Sequence, residues 1–511
     1  MVAAACMGRI SVSGPDAAKD AAASLGPASV LTGHMRATRD GATVDKAMTR
    51  KNAAALKLVA GFDANFDGAD FGQPLYVDGA DSGRDVLFVA TNTNVVAALD
   101  ASTGATLWSK TLGTPVTPSY LPCHQPISQP YGILSTPVID PGSRTLFTEA
   151  FVLGGDADAP RLRPVDRRRE RSPRMARRRD RCGQRLFAVS QHQRGSLLLL
   201  NGTLYLPFSS CGADCEPPVY HGWVVGISIS NPKQVTSWHT TANRGGIWGA
   251  LASDGTSIFF STGNTYQLGG DDVPAPGAWG GGEAIFRLGP DLTFDGGSSA
   301  YFTPSNWRTL DEDDKDLGSA SVVLRDVPGA EPSSLVAAMG KQGTVYLQDR
   351  ANLGGLGQGN GESGEGLFSA LVDVGGTFGN PATYTTTKGR YIVTRANGNG
   401  LNCPNGTNGN LIAMKVAPTS PPTFSTASCA QASGAGSPMV TTTDGQSDPV
   451  VWVTTAQGTN VLLGFDGDTG ASVFTGGGVT MTQIIRWTNP IVAEGRLYVA
   501  ATGKLYAFEA P

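Results

Sequence analysis

The chain has 511 residues, a net charge of −4 and 16% charged side chains. Away from one arginine-rich block, that balance excludes a polyanion partner such as nucleic acid, and the length allows one large domain or two to three ordinary ones. Glycine, at 67 residues, is about twice its usual share, which favours many turns and short strands over helices. Seven cysteines occur without a CxxC or CxxCH spacing, so metal-finger and c-type haem readings are excluded. No stretch is long and apolar enough to span a membrane as a helix.

The first residues, MVAAACMG, lack the basic start and apolar core of a signal peptide. Ala-Ala-Ala-Cys6 resembles the end of a bacterial lipoprotein signal; an ordinary alanine-rich tail is the alternative. Residues 1–50 are rich in Ala, Ser, Gly and Asp and read as a flexible tail or linker. DANFDGAD (63–70) matches the front of an EF-hand loop, but Pro74 stands where the bidentate Glu would be, so a hairpin turn is expected there.

From residue 74 onward a hairpin signature recurs eight times. It is a short apolar strand, a Gly/Asp turn and a strand of alternating apolar residues. The pairs are PLYVDG with DVLFVATN (85–92), TPVIDPG with RTLFTEAF (144–151), SLLLLNG with GTLYLPFS (202–209), and GALASDG with TSIFFSTG (256–263). They continue as ASVVLRDVPG with SSLVAAMG (333–340), PATYTTTKG with GRYIVTRA (389–396), SPMVTTTDG with PVVWVTTA (449–456), and NPIVAEG with GRLYVAAT (495–502). Third and fourth strands follow in several units. NVVAALDASTGATLW (94–108) and NVLLGFDGDTGASVF (460–474) share Asp-x-x-Thr-Gly between two strands, a tight turn in which Gly takes positive φ. Eight units of roughly 50 residues with four strands each predict an eight-bladed β-propeller, all-β, over residues 51–511; a stacked solenoid is the alternative. The last unit has only three strands before Pro511. The stretch AALKLVAGFD (54–63) is therefore expected to complete it by pairing with residues 504–509.

One block breaks the pattern. Residues 161–181 hold eleven arginines where strands three and four of unit two are due. Codons for Ala159–Arg181 can be chosen so that reading one base later yields Arg-Val-Tyr-Ala-Leu-Ser-Ile-Asp-Asp-Gly-Ser-Asp-Arg-Pro-Gly-Trp, much like the segment at 94–108. Residues 159–185 are therefore read as an out-of-frame, irregular insert, with a nucleic-acid patch and a self-repelling loop as alternatives.

VAALDASTGATLW, GILSTPVIDPGSRTLF, YHGWVVG, GKQGTVYLQDRANLGG and GSPMVTTTDGQSDPVVWV resemble segments of the bacterial pyrroloquinoline-quinone-like β-propeller repeat proteins. The resemblance spans about residues 50–511 apart from the arginine block. It implies the eight-bladed propeller of quinoprotein alcohol dehydrogenases and, by extension, pyrroloquinoline quinone and calcium as cofactors. Those enzymes use an adjacent Cys-Cys disulfide over the quinone, a Trp beneath it, and calcium held by Glu, Asn and Asp, with an Asp base. No Cys-Cys pair exists here, so no cofactor and no metal site is expected, and a shared fold does not carry an activity.

The cysteines that lie near one another, Cys211 with Cys215 and Cys403 with Cys429, are the disulfide candidates. The loop phase of the repeats puts Arg194, Trp248, Asp316, Lys341, Trp487, His124 and His221 on one face over the channel. That aromatic and cationic set suits planar or anionic ligands, while simple plugging of the channel by Trp and Arg is the alternative. The expected protein is an extracytoplasmic monomer (periplasmic, secreted or lipid-anchored) that acts in binding or assembly, with a small molecule or a protein as its partner. A quinone-dependent oxidoreductase acting on an alcohol or sugar is the alternative.

Overall fold

The computed structural model describes residues 10–11, 25–81, 83–121, 130–153, 160–162, 190–210, 220–265 and 279–511. The arginine-rich residues 163–189, His124, Cys211 and Cys215 lie outside them. Within them the chain is an all-β propeller. Unit one is a meander of Leu75–Asp81, Arg84–Ala90, Val95–Asp100 and Thr106–Thr111, all antiparallel neighbours. Units three to seven repeat the same order, for example Ala382–Thr386, Gly389–Arg395, Leu411–Ala417 and Thr423–Ala430 in unit six. In unit eight, Ile491–Ala493, Arg496–Ala501 and Lys504–Glu509 are joined by Lys57–Leu58, with Lys57 opposite Glu509.

Seven four-stranded blades are thus present among the described residues, where the repeat count leads to eight. Unit two contributes the hairpin Val138–Asp140 with Thr145–Phe147, flanked by the backbone of Ile10–Ser11. Phe151–Leu153 pairs separately with the backbone of Pro160–Leu162. Its remaining strands would fall in the arginine block, where eleven cations cannot be buried without partners.

The Asp-x-x-Thr-Gly turns behave as their chemistry dictates. Asp100 Oδ1 accepts from the amides of Ser102 and Thr103, and Gly104 follows at φ +80°. Asp466 does the same for Asp468 and Thr469 before Gly470 at φ +74°. A carboxylate that satisfies two turn amides and a glycine in the left-handed region together reverse the chain in five residues. Between blades, the apolar faces of neighbouring sheets interlock. Trp452, fully buried, packs in a cluster with Leu497, Val499 and Phe508 of the next blade, and its indole N–H is satisfied by Thr441 Oγ1 at 2.9 Å.

The expectation of a flexible tail over residues 1–50 does not hold for residues 25–50. This segment winds around the central channel and meets the innermost strands in chain order. Val30 exchanges backbone hydrogen bonds with Tyr76 of unit one, and the Leu31 carbonyl accepts from Ile139 of unit two. Ala37 accepts from Ser253 of unit four, Thr38 from Leu324 of unit five, Asp40 from Thr383 of unit six and Gly41 from Val440 of unit seven. Asp45 Oδ2 then accepts from Gly495 of unit eight. The inner edge of a blade presents unpaired amides, and a buried amide without an acceptor costs about 1–3 kcal/mol. The segment supplies those acceptors, so its small and polar composition serves close approach rather than disorder. After it, Arg50–Ala54 forms a short helix capped by Thr49 Oγ1, and the chain leaves to pair at unit eight.

Arg39 anchors this strap. Its side chain is fully buried and donates to Leu251 O (2.7 Å), Leu197 O (2.9 Å), Gly33 O (2.6 Å) and Thr32 Oγ1 (3.0 Å). Burial pulls its pKa down to about 9, so it remains charged at neutral pH. Replacing Arg39 with Ala removes four hydrogen bonds, among them those to the buried carbonyls of Leu251 and Gly33, and should lower unfolding stability by about 3 kcal/mol or more. Urea unfolding measures this, and an unchanged midpoint would show that the strap contributes nothing to the ring.

Candidate functional site

Three loops that enter innermost strands carry side chains singled out by the repeat phase. Arg194 precedes Leu198–Leu200, Trp248 precedes Ala252–Ser253, and Trp487 precedes Ile491–Ala493. The three meet. The Arg194 guanidinium carbon lies 3.9 Å from the Trp487 ring centroid and 5.0 Å from that of Trp248, and Arg194 Nε donates to Trp248 O at 3.3 Å. A cation between two indole faces is favourable, about 2 kcal/mol when desolvated. Trp487 holds an unusual φ of +69°, and its amide is tied to Ala435 O at 2.9 Å. Gly379, at φ +92°, lets it sit there, since a Cβ at that position would stand 3.0 Å from the indole. Arg486 adds a second cation, 5.3 Å from the same ring, with Nε on Gln457 Oε1 at 2.6 Å.

Asp316 and Lys341 form a second group. Lys341 Nζ pairs with Asp316 and lies 2.8 Å from Asp314 Oδ1, while Asp316 Oδ1 also accepts from the Asn264 amide at 3.0 Å. Burial pushes the Asp316 carboxyl up, and the Lys341 ammonium acts against that shift. Behind them Glu283 is fully buried and accepts from Leu317 N at 2.5 Å. Burial first, then the charges of Asp311 and Asp316, hold its pKa well above the usual carboxylate range. The two groups adjoin through glycines. Gly263 N donates to Gly246 O at 3.0 Å. A Cβ at Gly263 would reach within 2.3 Å of Asp316 Oδ1, and one at Gly246 within 3.0 Å of Trp248 Nε1.

Of the residues proposed from sequence, Arg194, Trp248 and Trp487 come together, and Asp316 with Lys341 stands beside them. His221 instead packs in blade three, its ring 5.1 Å from His239 and its Nδ1 3.0 Å from Thr240 O. His124 lies outside the described residues. Cys403 and Cys429 are joined in a disulfide. Sequence reasoning passed over Asn264, Glu283, Glu149 and the run Gln191–Gln193. The available signal was a carboxyl or amide inside an otherwise apolar strand, as in LFTEAF.

The calcium implied by the resemblance does not fit these groups. Asn264 and Asp316 adjoin, but the Lys341 ammonium takes the carboxylate that a cation would need. Among the described residues no three His, Cys, Asp or Glu side chains converge as a metal-binding group.

A family model described as outer membrane protein assembly factor BamB matches residues 58–129. Among solved structures, a quinohemoprotein alcohol dehydrogenase from Pseudomonas putida is similar at 13% identity and TM-score 0.58, over 95% of this chain and 80% of that one. The quinohemoprotein alcohol dehydrogenase from Comamonas testosteroni matches at 12% identity and TM-score 0.56, over 96% and 81%. A europium-containing methanol dehydrogenase matches at 13% identity and TM-score 0.56, over 95% and 98%. No curated protein sequence matches the chain. No helix among the described residues is long and apolar enough to cross a membrane.

Glu283 yields a pH prediction. Its folded pKa is raised above the unfolded value, so the folded state holds a proton that the unfolded state releases as pH rises past about 4.5. Its contribution is full at low pH and is lost as pH rises toward the folded pKa. Glu283→Gln should therefore flatten the fall in stability between pH 5 and 8 and raise the melting temperature most at pH 8. Melting curves across that range test this; a variant less stable than wild type at pH 8 would show Glu283 to be ionised and needed.

Proposed function

Starting from a β-propeller built of pyrroloquinoline-quinone-like repeats, we propose that this chain is a monomeric, extracytoplasmic binding protein whose channel mouth takes a planar anionic small molecule. The carrying observation is Arg194 held between Trp248 and Trp487 with Arg486 beside them. Delocalised cations next to indole planes can offer both charge and stacking to such a ligand. The Cys403–Cys429 disulfide supports an oxidising compartment. The ring is proposed to have eight members, with the hairpin at 138–147 as the remnant of its second blade and Lys57–Leu58 closing the last. The +1 frame of the coding DNA over 159–185 would then supply the missing strands.

The alternative from the sequence, a quinone-dependent oxidoreductase, would need a cation beside Asn264 and Asp316, where Lys341 already takes the carboxylate. The two are separated by titrating indole fluorescence with pyrroloquinoline quinone, a flavin mononucleotide and an aromatic dicarboxylate, with and without calcium. The binding reading expects saturable quenching that weakens about tenfold or more in the Arg194→Ala, Trp487→Ala double variant, without dye reduction when an alcohol or sugar is added. Equal binding by both proteins would place the site elsewhere, and dye reduction would favour the enzyme.

A further inference from the structure

Arg486 has a neighbour of the same charge that the group around Arg194 does not use. Arg395 ends the second strand of unit six, Gly389–Arg395, and is only 9% exposed. Among the described residues neither guanidinium meets a carboxylate. Arg395 Nη1 donates to Asn397 Oδ1 at 3.0 Å, and Arg486 Nε donates to Gln457 Oε1 at 2.6 Å. Arg395 Nε is buried and has no hydrogen-bond partner. A buried cation with one amide oxygen as its partner is unfavourable for the chain alone.

The fold directs both side chains to the same place. Side chains alternate along a strand, so Arg395 shares a face with Val393 and Tyr391. Those two pack in one cluster with Val440, Val451 and Val453 of unit seven. The next residue, Ala396, bridges to Thr377 in the loop that enters unit six. Arg395 therefore stands at the junction of units six and seven, at the end where the entering loops lie. Arg486 comes from the other side, from the loop that enters unit eight. Gln457, which accepts from it, lies just after Val450–Thr454, the second strand of unit seven, so Arg486 leans back over that unit. Burial, and after it the Arg486 charge, pull the Arg395 pKa below its usual value. The two cations are thus within electrostatic reach of each other, which repels them until an anion lies between.

The chemistry of the pair narrows the anion. A guanidinium fork matches the oxygens of a carboxylate or phosphate two at a time, and two forks present two positive charges. A phosphate group carries about −1.5 to −2 at neutral pH and has enough oxygens to meet both forks at once, whereas a single carboxylate carries one charge and two oxygens.

We propose that Arg395 and Arg486 form a binding site for a phosphate group, as the free ion or as a phosphomonoester. The site deepens the reading of the channel mouth by naming the charged group of its ligand, and it rests on that reading only for an aromatic part stacked at Trp487.

The test titrates the full chain calorimetrically with inorganic phosphate and, separately, with phenyl phosphate, at constant ionic strength. Saturable uptake of one phosphate per chain is expected, with a Kd of about 1 mM or tighter. Arg395→Gln and Arg486→Gln should each weaken it about tenfold or more, and phosphate should raise the melting temperature of wild type more than that of either variant. No saturable uptake, or a folded Arg395→Gln that takes up phosphate as wild type does, overturns the site. If Arg395→Gln does not fold, Arg486→Gln, at an exposed position, decides in the same way. Tighter binding of phenyl phosphate than of inorganic phosphate identifies a phosphomonoester as the source, and equal affinities identify the free ion; both support the site. Inorganic phosphate has no ring, so its titration is separate from that of the indole pair. A chain that takes up the aromatic dicarboxylate and no phosphate overturns this site and leaves the mouth reading standing.

Discussion

The row of backbone hydrogen bonds between the N-terminal strap and the innermost strands is the constraint on which the rest of the ring depends. Each blade turns an unpaired edge toward the axis, and the amides of Ile139, Ser253, Leu324, Thr383 and Val440 would otherwise be buried without acceptors. One extended segment meets them in sequence order because the blades themselves are laid down in sequence order. Arg39 then ties the strap to two blade carbonyls with a buried charge that is paired with no carboxylate among the described residues. Such a guanidinium is tolerable because its donors meet fixed dipoles, which replace water at short range.

The loops that enter the innermost strands bring Arg194, Trp248 and Trp487 together. Those loops can carry bulky groups because glycine at Gly379, Gly246 and Gly263 removes the Cβ that would block them. The electrostatics then divide by position. Cations gather at Trp487, where Arg194 and Arg486 approach one indole from different loops. Acids gather one layer behind, where Glu283 and Asp316 are pushed up by burial and Lys341 offsets only the nearer of them.

Much of the architecture was legible in one dimension. Strand alternation, Asp-Gly turns and the Asp-x-x-Thr-Gly motif are local, since each is decided by a handful of neighbouring residues. The structure returns them where periodicity places them, as at 94–108 and 460–474. Three of the proposed channel residues also meet, because repeat phase determines which loops share a face. The tail was misjudged for an equally physical reason. Composition in residues 25–50 is that of a linker, and no local pattern reveals that its acceptors match a ring of amides contributed by distant strands.

By itself, then, the sequence determined the repeat, its turns and the all-β class, because those properties follow from nearest-neighbour sterics and a fixed period. Tertiary structure alone decided that a small, polar N-terminal segment meets the innermost strands one after another and that Lys341 takes the carboxylate of Asp316. These are encounters between residues tens to hundreds of positions apart, and burial, which sets their charge states and leaves some of their atoms unpaired, exists only once the ring has formed.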